Sequence, residues 1–458
     1  MEEFCMSFSL IVLAAGEGKR MKSEKSKVTF KVCGKEMVNR VIDEAKSAGA
    51  DRSCVVVGHR ADMVKEAVGD RAEFVTQEKQ LGTGHAVMQA KDFASKSENV
   101  LILAGDTPLI TSETLKKAFD VHISQGNACT VLTAVIDNPF GYGRIIRDEN
   151  ENVLKIVEQK DATEEEKKVK EINSGMYFFK ASALIDALDS LTNNNAQGEY
   201  YLTDTLSVIR NASLKVGAYV VEDCDEISGV NDRVQLSEAE KVMRRRINKG
   251  FALSGVTIID LDNTYIDEDV TIGQDSVVYP GTTIEKGSVI GKNVIVGQNC
   301  RIVNSSVGDG CDVYFSTMVD SSVGENTHVG PYAYMRPNSS VGSGCKVGDF
   351  VELKNATLGD GTKVSHLTYI GDADVGSNVN FGCGTVIVNY DGKYKYRTTI
   401  GDNAFIGCNS NLVSPVTVND NAYIAAGSTI TDEVPDGALA IARSRQVIKT
   451  DWNDRRKK

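Results

Sequence analysis

No apolar run in this chain approaches the length of a membrane span, which needs about 20 consecutive apolar residues. That absence argues against insertion in a membrane as a helix. The opening MEEFCMSFSL starts acidic and lacks the basic head of a secretory signal, so a cytoplasmic location is expected. Cysteine is present but unpatterned. The ten cysteines form no C-x-x-C pair and have no ligand-like spacing with the five histidines. A disulfide framework and a zinc site both lack their signature, which leaves free thiols in a reducing compartment. Positive charge is in deficit: 51 Lys and Arg stand against 63 Asp and Glu, a net charge of −12. That is the wrong sign for a protein that neutralises a phosphate backbone regardless of sequence, and it argues against nucleic acid. Anionic small molecules can still bind at local basic spots. The remaining composition, 41% hydrophobic and 25% charged over 458 residues, is that of a globular protein of two or three domains.

What the chain does have is a period. From about Ile272 to Ile430 an aliphatic residue returns every sixth position, often followed by glycine. Ile272, Val278, Ile284, Ile290, Val296 and Ile302 keep phase; after a slip of one, Val307, Val313 and Val319 continue. Val323, Val329, Met335, Val341, Val347 and Leu353 form a second series, and Leu358, Val364 and Ile370 a third. Val375, Phe381 and Ile387 lead to an interruption, NYDGKYKYRTT, after which Ile400, Ile406, Leu412, Val418, Ile424 and Ile430 resume. Six is neither the 3.6 of an amphipathic helix nor the two of a half-buried strand. It fits a short flat strand and a turn, one inward apolar residue per side, with three sides closing a triangular coil of a parallel β-helix. Glycine after the inward residue suits a turn of positive φ or a close approach of two backbones.

The first ~230 residues alternate strand and helix, which predicts a mainly parallel sheet covered on both faces. SLIVLAA, CVVVG, AEFVTQ, NVLILAGD and ACTVLTAVI read as strands. Met37 to Ala48, ADMVKEAV, GHAVMQAKDF and TSETLKKAFDVHI read as helices. In such a doubly wound α/β arrangement ligands sit beyond the carboxyl ends of the strands. After the first strand comes LAAGEGKRM, whose glycines expose N–H groups that can cradle phosphates, beside Lys19, Arg20 and Lys27. Read alone, the same glycines also suit a tight strand-to-helix turn. Asp106, in GDTPL at another strand end, suits Mg²⁺ near phosphates; the alternative is a helix- or turn-capping carboxylate.

A β-helix needs only small or aliphatic residues, so Arg336, Lys354, His366, Tyr369, Asn380, Asn389 and Tyr390 stand out. Arg336 and Lys354 are 18 residues apart, one full coil, so they stack on one face where they can grip a phosphate. His366 follows Lys354 by 12 residues and falls on another face. A site using all three lies between subunits, and a three-faced prism favours a homotrimer. Between the two halves, Ser237 and Glu240 form a capping-box pattern ahead of a partial apolar stripe, Leu236, Val242, Met243 and Ile247. This predicts a linking helix ending near Gly250. Its RRR run and the TEEEKKVKE run read as solvated faces, and the basic tail, VIKTDWNDRRKK, as a solvated end. A tail reaching a neighbouring subunit's site is the alternative.

LAAGEGKRM, Lys27, QLGTGHA, AGD, GYGR, IVEQKDA, EINSGMY and GVNDR, in that order and joined to the hexad array, resemble the bifunctional N-acetylglucosamine-1-phosphate uridyltransferase/glucosamine-1-phosphate N-acetyltransferase family over nearly the whole chain. The resemblance implies a Rossmann-like uridyltransferase domain at 1–233, a helical linker at 234–254 and a left-handed β-helix acetyltransferase domain with its tail at 255–458. It implies that Leu13, Ala14, Ala15 and Gly16 hold the nucleotide, that Arg20 and Lys27 neutralise the phosphates, and that Gln77, Gly82 and Thr83 read the uracil edge. Gly143, Glu158 and Asn173 would hold the sugar; Asp106 and Asn231 would hold Mg²⁺. His366 would be the general base toward acetyl-CoA, with Arg336, Lys354, Tyr369 and Asn380 on the sugar phosphate. Asn389 and Tyr390 would close that site and, with Cys383, Cys408, Ala426 and Arg443, contact the coenzyme. The implied substrates are UTP, N-acetylglucosamine-1-phosphate, glucosamine-1-phosphate and acetyl-CoA.

The match is imperfect. Lys19 stands where the pattern has threonine, Ser26 where it has proline, Ala104 where an aromatic is frequent, and Cys383 and Cys408 where alanine and serine are usual. Two other readings compete. One is a single-activity sugar-1-phosphate nucleotidyltransferase with a structural or regulatory β-helix. The other is a non-catalytic scaffold of the two folds, against which the intact LAAGEGKRM, Lys27, Asp106 and Asn231 argue.

Overall fold

The computed structural model of the protein describes residues 7–195 and 197–456. Most of the acidic opening and the last two lysines of the basic tail lie outside the described residues. The chain divides into two compact units, 1–243 and 244–458.

The first unit is built on one nine-stranded sheet. Its strands are β1 (Phe8–Ala14), β2 (Ala50–Val57), β3 (Glu73–Thr76), β4 (Asn99–Ala104), β5 (Cys129–Val135), β6 (Arg144–Arg147), β7 (Val153–Val157), β8 (Glu171–Lys180) and β9 (Val216–Val220). The order is β9-β5-β8-β4-β1-β2-β3, with the β6–β7 hairpin attached to β8. Strands β1 to β4 are parallel. Successive residues of a strand face opposite sides, so Ile11, Val56 and Ile102 enter one core while Leu10, Val12, Val55 and Leu101 enter the other. Burial on both faces is why these runs are continuously apolar rather than alternating.

Strand–helix alternation predicts a mainly parallel sheet, and β8 departs from it. It is ten residues long and antiparallel to both β4 and β5. Only a three-residue 3-10 helix, Glu166–Lys168, separates it from the β6–β7 hairpin, and an antiparallel strand needs no crossover helix. The helix predicted over GHAVMQAKDF is two short ones, Thr83–Met88 and Lys91–Ala94. The Met37–Ala48 helix ends as expected, at Gly49 with φ of 117°.

A helix runs Arg233–Leu253, and the division between the two units falls within it. Its start differs from the Ser237 capping box. Asp232 does the capping, its carboxylate accepting from the N–H groups of Val234 and Gln235 at 2.9 Å. Glu240 instead accepts from the backbone N–H of Cys33 at 2.7 Å. A carboxylate at Asp232 claims the first orphan donors, so the helix begins a turn earlier.

The second unit is a three-sided parallel β-helix. One face is an eleven-stranded parallel sheet, and the other two faces form a continuous second sheet. The inward aliphatics form one uninterrupted core from Val256 to Val434. One assignment fails: Met318, fully buried, takes the inward place and Val319 does not. Val313, Met318 and Val323 are spaced by five and five residues, so two consecutive sides each lose a residue at the corner. There Phe315 and Asp320 adopt φ of 45° and 44°.

Most glycines after inward residues answer to close approach rather than to positive φ; Gly330, after Val329, has both, with φ of 109°. A Cβ on Gly308 would lie 2.7 Å from the Glu325 backbone N, and one on Gly348 1.9 Å from the Ser365 carbonyl. On six-residue sides the left-handed corners fall three residues after the inward residue, at Asn293, Asn299, Asn378 and Asn403 among others, and on five-residue sides two after it, as at Phe315 and Asp320. Asparagine tolerates that region better than other side chains.

Candidate functional site

In the first unit, parallel strands bring their carboxyl ends to one edge. Leu13 pairs Ala104, Ala14 pairs Val57, and Val57 pairs Thr76. The chain runs β1, β2, β3 outward and then returns to the other side of β1 as β4. The crevice beyond such a reversal is where α/β sheets bind ligands. A cavity of about 320 Å³ opens there, lined by Leu13, Ala14, Ala15, Gly16, Lys27, Gln77, Gly82, Thr83 and Asp106, together with Val28, Gln80, Ala86, Ala104 and Glu199. A second cavity of about 260 Å³ shares Ala104 and Asp106 and adds Arg20, Tyr142, Ser174, Asn231 and Gln235 among its walls.

The residue types explain the first cavity's shape. Gly82 has φ of 106°, and a Cβ there would lie 2.6 Å from the Tyr200 carbonyl, so only glycine lets the 82–84 turn pack on Tyr200. The buried Gln77 amide donates to the Gly82 carbonyl at 3.1 Å and lies 3.1 Å from Nδ1 of His85. Thr83 Oγ1 accepts from the Leu202 N–H at 3.2 Å. At the floor, the Lys27 ammonium donates to Asp106 Oδ2 and, at 3.1 Å, to Asn231 Oδ1. Two hard oxygens from sequence-distant loops thus converge on one cationic centre. Val230 N–H donates to the Asp106 carbonyl at 2.8 Å, which ties the two loops together. That donor set suits a hard divalent cation completed by phosphate oxygens. Among the described residues no three His, Cys, Asp or Glu side chains gather as a fully protein-built metal site.

Gly143, Glu158 and Asn173 meet each other but line neither cavity. A Cβ on Gly143 would lie 3.4 Å from Glu158 Oε1 and 3.5 Å from the Asn173 Cβ. Tyr177 Oη donates to Asn173 Oδ1 at 2.9 Å. Burial raises the Glu158 carboxyl above the usual range, with Asp161 and Asp204 adding to it. Of the departures from the family pattern, Lys19 points into solvent and pairs with Glu17 at 3.0 Å. Ser26 is buried with its hydroxyl unpartnered, and Ala104 walls both cavities. Sequence reasoning missed Gln80, Glu199, Tyr142 and Ser174. Gln80, Tyr142 and Ser174 lie inside QLGTGHA, GYGR and EINSGMY, Ser174 on β8 itself, beside the residues that were read there, and only the fold delivers them to the rim.

In the second unit, Arg336 and Lys354 do stack on one face, next to the in-register pair Met335 and Leu353. Tyr369 lies on the same face in register with Glu352. Arg336 donates to Glu352 at 2.8 Å, and the Lys354 ammonium is 3.5 Å from Asp372. Asn389, buried, donates to Asp372 and reaches the Tyr369 hydroxyl at 3.5 Å. The interrupting loop carries Tyr390 and brings Lys395 against Lys354, and that neighbouring ammonium pushes the exposed Lys395 below the usual lysine range. Two ammonium groups in contact make a seat for an anion.

His366 lies on another face, as expected, and Asn380 lies there too rather than beside Lys354. Its imidazole is exposed, with Nδ1 2.6 Å from Asp349 Oδ1, one coil below. The hydrogen bond to His366 holds the Asp349 carboxyl below the usual carboxylate range. Asp349, His366, Cys383, Cys408 and Ala426 each follow their inward residue by two, so they form one column along a prism edge. The ladder of Cys383 O to Asn409 N and Cys408 O to Gly427 N, both 2.8 Å, continues that column upward. Arg443 is exposed with its Cδ 3.8 Å from where a Gly427 Cβ would be. Asp349, Asp372, Glu352 and Lys395 went unread in the sequence. Coil arithmetic could have found the first: it precedes His366 by 17 residues, one coil containing a five-residue side.

Comparison with known proteins gives a consistent picture. Residues 9–225 match the nucleotidyl transferase family model. Residues 269–304, 320–355 and 397–432 match the bacterial transferase hexapeptide model of six repeats. The chain is 56% identical over 451 residues to "Bifunctional protein GlmU" of Clostridioides difficile, covering 98% of each. It is 58% identical over 446 residues to the protein of that name from Caldanaerobacter subterraneus, covering 97% of each. With that from Acetivibrio thermocellus it shares 56% over 443 residues, 96% of each.

Proposed function

The chain belongs to the family of the bifunctional GlmU proteins, and from that premise we propose how its residues divide the work. The protein is a bifunctional transferase, with uridylyltransferase and acetyltransferase activities in UDP-N-acetylglucosamine synthesis. The acetyl step comes first and the uridylyl step second.

In the first unit, the sugar-1-phosphate oxygen attacks the α-phosphorus of UTP in line, and pyrophosphate leaves. Such a transfer needs positioning and charge neutralisation rather than a side-chain nucleophile. Leu13 to Gly16 offer backbone N–H groups to the nucleotide, and Gln77, Gly82 and Thr83 contact the base. Arg20 and Lys27 meet the phosphates, Lys27 exchanging its Asp106 contact for phosphate oxygens as the nucleotide enters. Gly143, Glu158 and Asn173 hold the sugar. The convergence of Asp106 and Asn231 on the Lys27 ammonium supports a cation site. Mg²⁺, held there when bound, would supply charge neutralisation at the phosphates.

In the second unit, His366 takes the proton from the amine of glucosamine-1-phosphate as nitrogen attacks the acetyl-CoA thioester. The C–N bond forms, the C–S bond breaks, and coenzyme A leaves. A positioned base of this kind contributes roughly 10²–10⁴-fold. Arg336, Lys354, Tyr369 and Asn380 hold the sugar phosphate, joined by Lys395. Asn389 and Tyr390 close the site, and Cys383, Cys408, Ala426 and Arg443 line the coenzyme's path.

Because His366 and Lys354 lie on different faces, the complete site draws on a second copy, in a homotrimer. A ridge of exposed apolar corners beside His366 supports this. Phe315, Tyr332, Phe350 and Leu367 all adopt positive φ, and the rings of Tyr332 and Phe350 stack at 5.4 Å. No helix of the described residues is long and apolar enough to cross a membrane; the small charged substrates, UTP and acetyl-CoA among them, support a cytoplasmic location.

The observation that carries the two-site reading is the separation of chemistries. The Lys27–Asp106–Asn231 cluster lies wholly in the first unit, and the Asp349–His366 and Lys354–Lys395 pairs lie in the second. Incubation with glucosamine-1-phosphate, acetyl-CoA, UTP and Mg²⁺, with free CoA and pyrophosphate followed separately, tests it. His366→Ala should abolish CoA release yet spare pyrophosphate formation from pre-acetylated sugar phosphate; Asp106→Ala should do the reverse. Loss of both signals in either folded variant refutes the division.

A further inference from the structure

Two histidines of the β-helix sit one coil above an aspartate in register: His328 over Asp312 and His366 over Asp349. In both, Nδ1 hydrogen-bonds the carboxylate. An ionised carboxylate only accepts, so Nδ1 must carry the proton. The two rings differ at the other nitrogen. Nε2 of His328 is 2.9 Å from the Gly330 carbonyl, so both of its nitrogens already face protein oxygens and neither is open to a ligand. Nε2 of His366 has no hydrogen-bond partner among the described residues, and the ring is exposed. With Nδ1 protonated by its partner, the Nε2 lone pair is open to solvent and substrate.

We propose that Asp349 is the positioning residue of the acetyl-transfer site, fixing His366 in the Nδ1–H tautomer so that Nε2 is the atom that takes the amine proton. This rests on the reading of His366 as the base. The carboxylate does two things. It removes the rotational freedom of an exposed side chain, and it faces the imidazolium that forms when the proton leaves the amine nitrogen for Nε2. The depressed Asp349 carboxyl keeps it in the accepting form throughout. Only the β-helix makes the pairing. Leu353 to Leu358 is a five-residue side, so a separation of 17 residues closes one turn and sets Asp349 under His366.

The test uses the full-length enzyme as Asp349→Ala, Asp349→Asn and His366→Ala, with steady-state acetyl transfer and ¹⁵N-histidine NMR. Asn is isosteric and guards against a folding defect in the Ala variant. Both Asp349 variants should lower kcat by about 10- to 100-fold, the range seen when the carboxylate orienting a metal-bound imidazole is lost. KM for both substrates should stay within about two-fold, because no substrate contact is removed. The His366 resonances, assigned by their loss in His366→Ala, should move from the Nδ1–H tautomer toward a mixture. A merely structural aspartate would leave that signature in place. If His366→Ala is inactive in acetyl transfer while both Asp349 variants retain kcat and the tautomer signal, the positioning role is overturned and the base stands. If His366→Ala still transfers acetyl groups, the base reading itself falls, and the positioning role with it.

Discussion

His122 makes the first unit's stability depend on pH, and the size of the effect follows from where it sits. It lies on the Ser112–Ser124 helix, fully buried, stacked on Phe119 with ring centroids 6.4 Å apart. Nδ1 is 2.9 Å from Thr130 Oγ1, and Nε2 is buried without a partner. Burial, with a smaller contribution from Lys180, pushes the imidazole down to about 4 from 6.5. Between those values the unfolded chain binds a proton that the folded unit refuses, so stability is lost as pH falls from 6.5 toward 4. At pH 5 the shortfall from this one group is about 2 kcal/mol relative to pH 7, at about 1.4 kcal/mol per pH unit. Amide exchange of the Cys129–Val135 strand, corrected for the intrinsic rate, reads the opening free energy of this unit by itself. The wild-type protein should lose about 2 kcal/mol more than His122→Gln between pH 7 and pH 5, whatever the baseline cost of the substitution. An equal pH dependence in the two proteins would refute the assignment of His122 as the buried neutral imidazole.

Three further outcomes are expected. Ser26 has φ of −61°, close to proline's fixed value, and a buried hydroxyl with no partner. Ser26→Pro should therefore stabilise the first unit by about 0.4–1 kcal/mol in the same exchange experiment. Met318→Ala should cost about 2–5 kcal/mol of second-unit stability, while Val319→Ser stays within about 0.5 kcal/mol. Thermal melts by circular dichroism decide this, and the opposite ranking would restore the six-residue spacing. Lys395→Ala should raise KM for glucosamine-1-phosphate by roughly ten-fold, an exposed charge-assisted contact being worth less than a buried one. Pyrophosphate release should be unchanged, and an unchanged KM would remove Lys395 from the phosphate seat.

Periodicity fixes all but one of the inward residues named from it in the β-helix, Val319 being the exception, because each side of a coil must bury one side chain and nothing else can fill the interior. It also predicts the stacking of Arg336 and Lys354, since a full coil separates them. Local rules likewise suffice for the Met37–Ala48 helix and its glycine stop. Short-range pattern fails where two local solutions are close in energy. Asp232 outcompetes the Ser237 capping box by sitting where the first free N–H groups are, and Met318 replaces Val319 because flexible methionine can fill a shortened side. The antiparallel β8 has no sequence marker, since a buried apolar strand looks the same in either direction.

The sequence by itself determined which residue types are available: a glycine-rich phosphate loop, an aspartate at a strand end, and cations and a histidine on a scaffold that has no structural use for them. Tertiary structure alone decided which of them meet. Asp106 and Asn231 share one ammonium across a long stretch of chain, and Asp349 comes under His366 only because a five-residue side shortens the coil between them. Contact between sequence-distant side chains depends on register and crossover geometry, quantities that many residues set jointly and no single motif encodes.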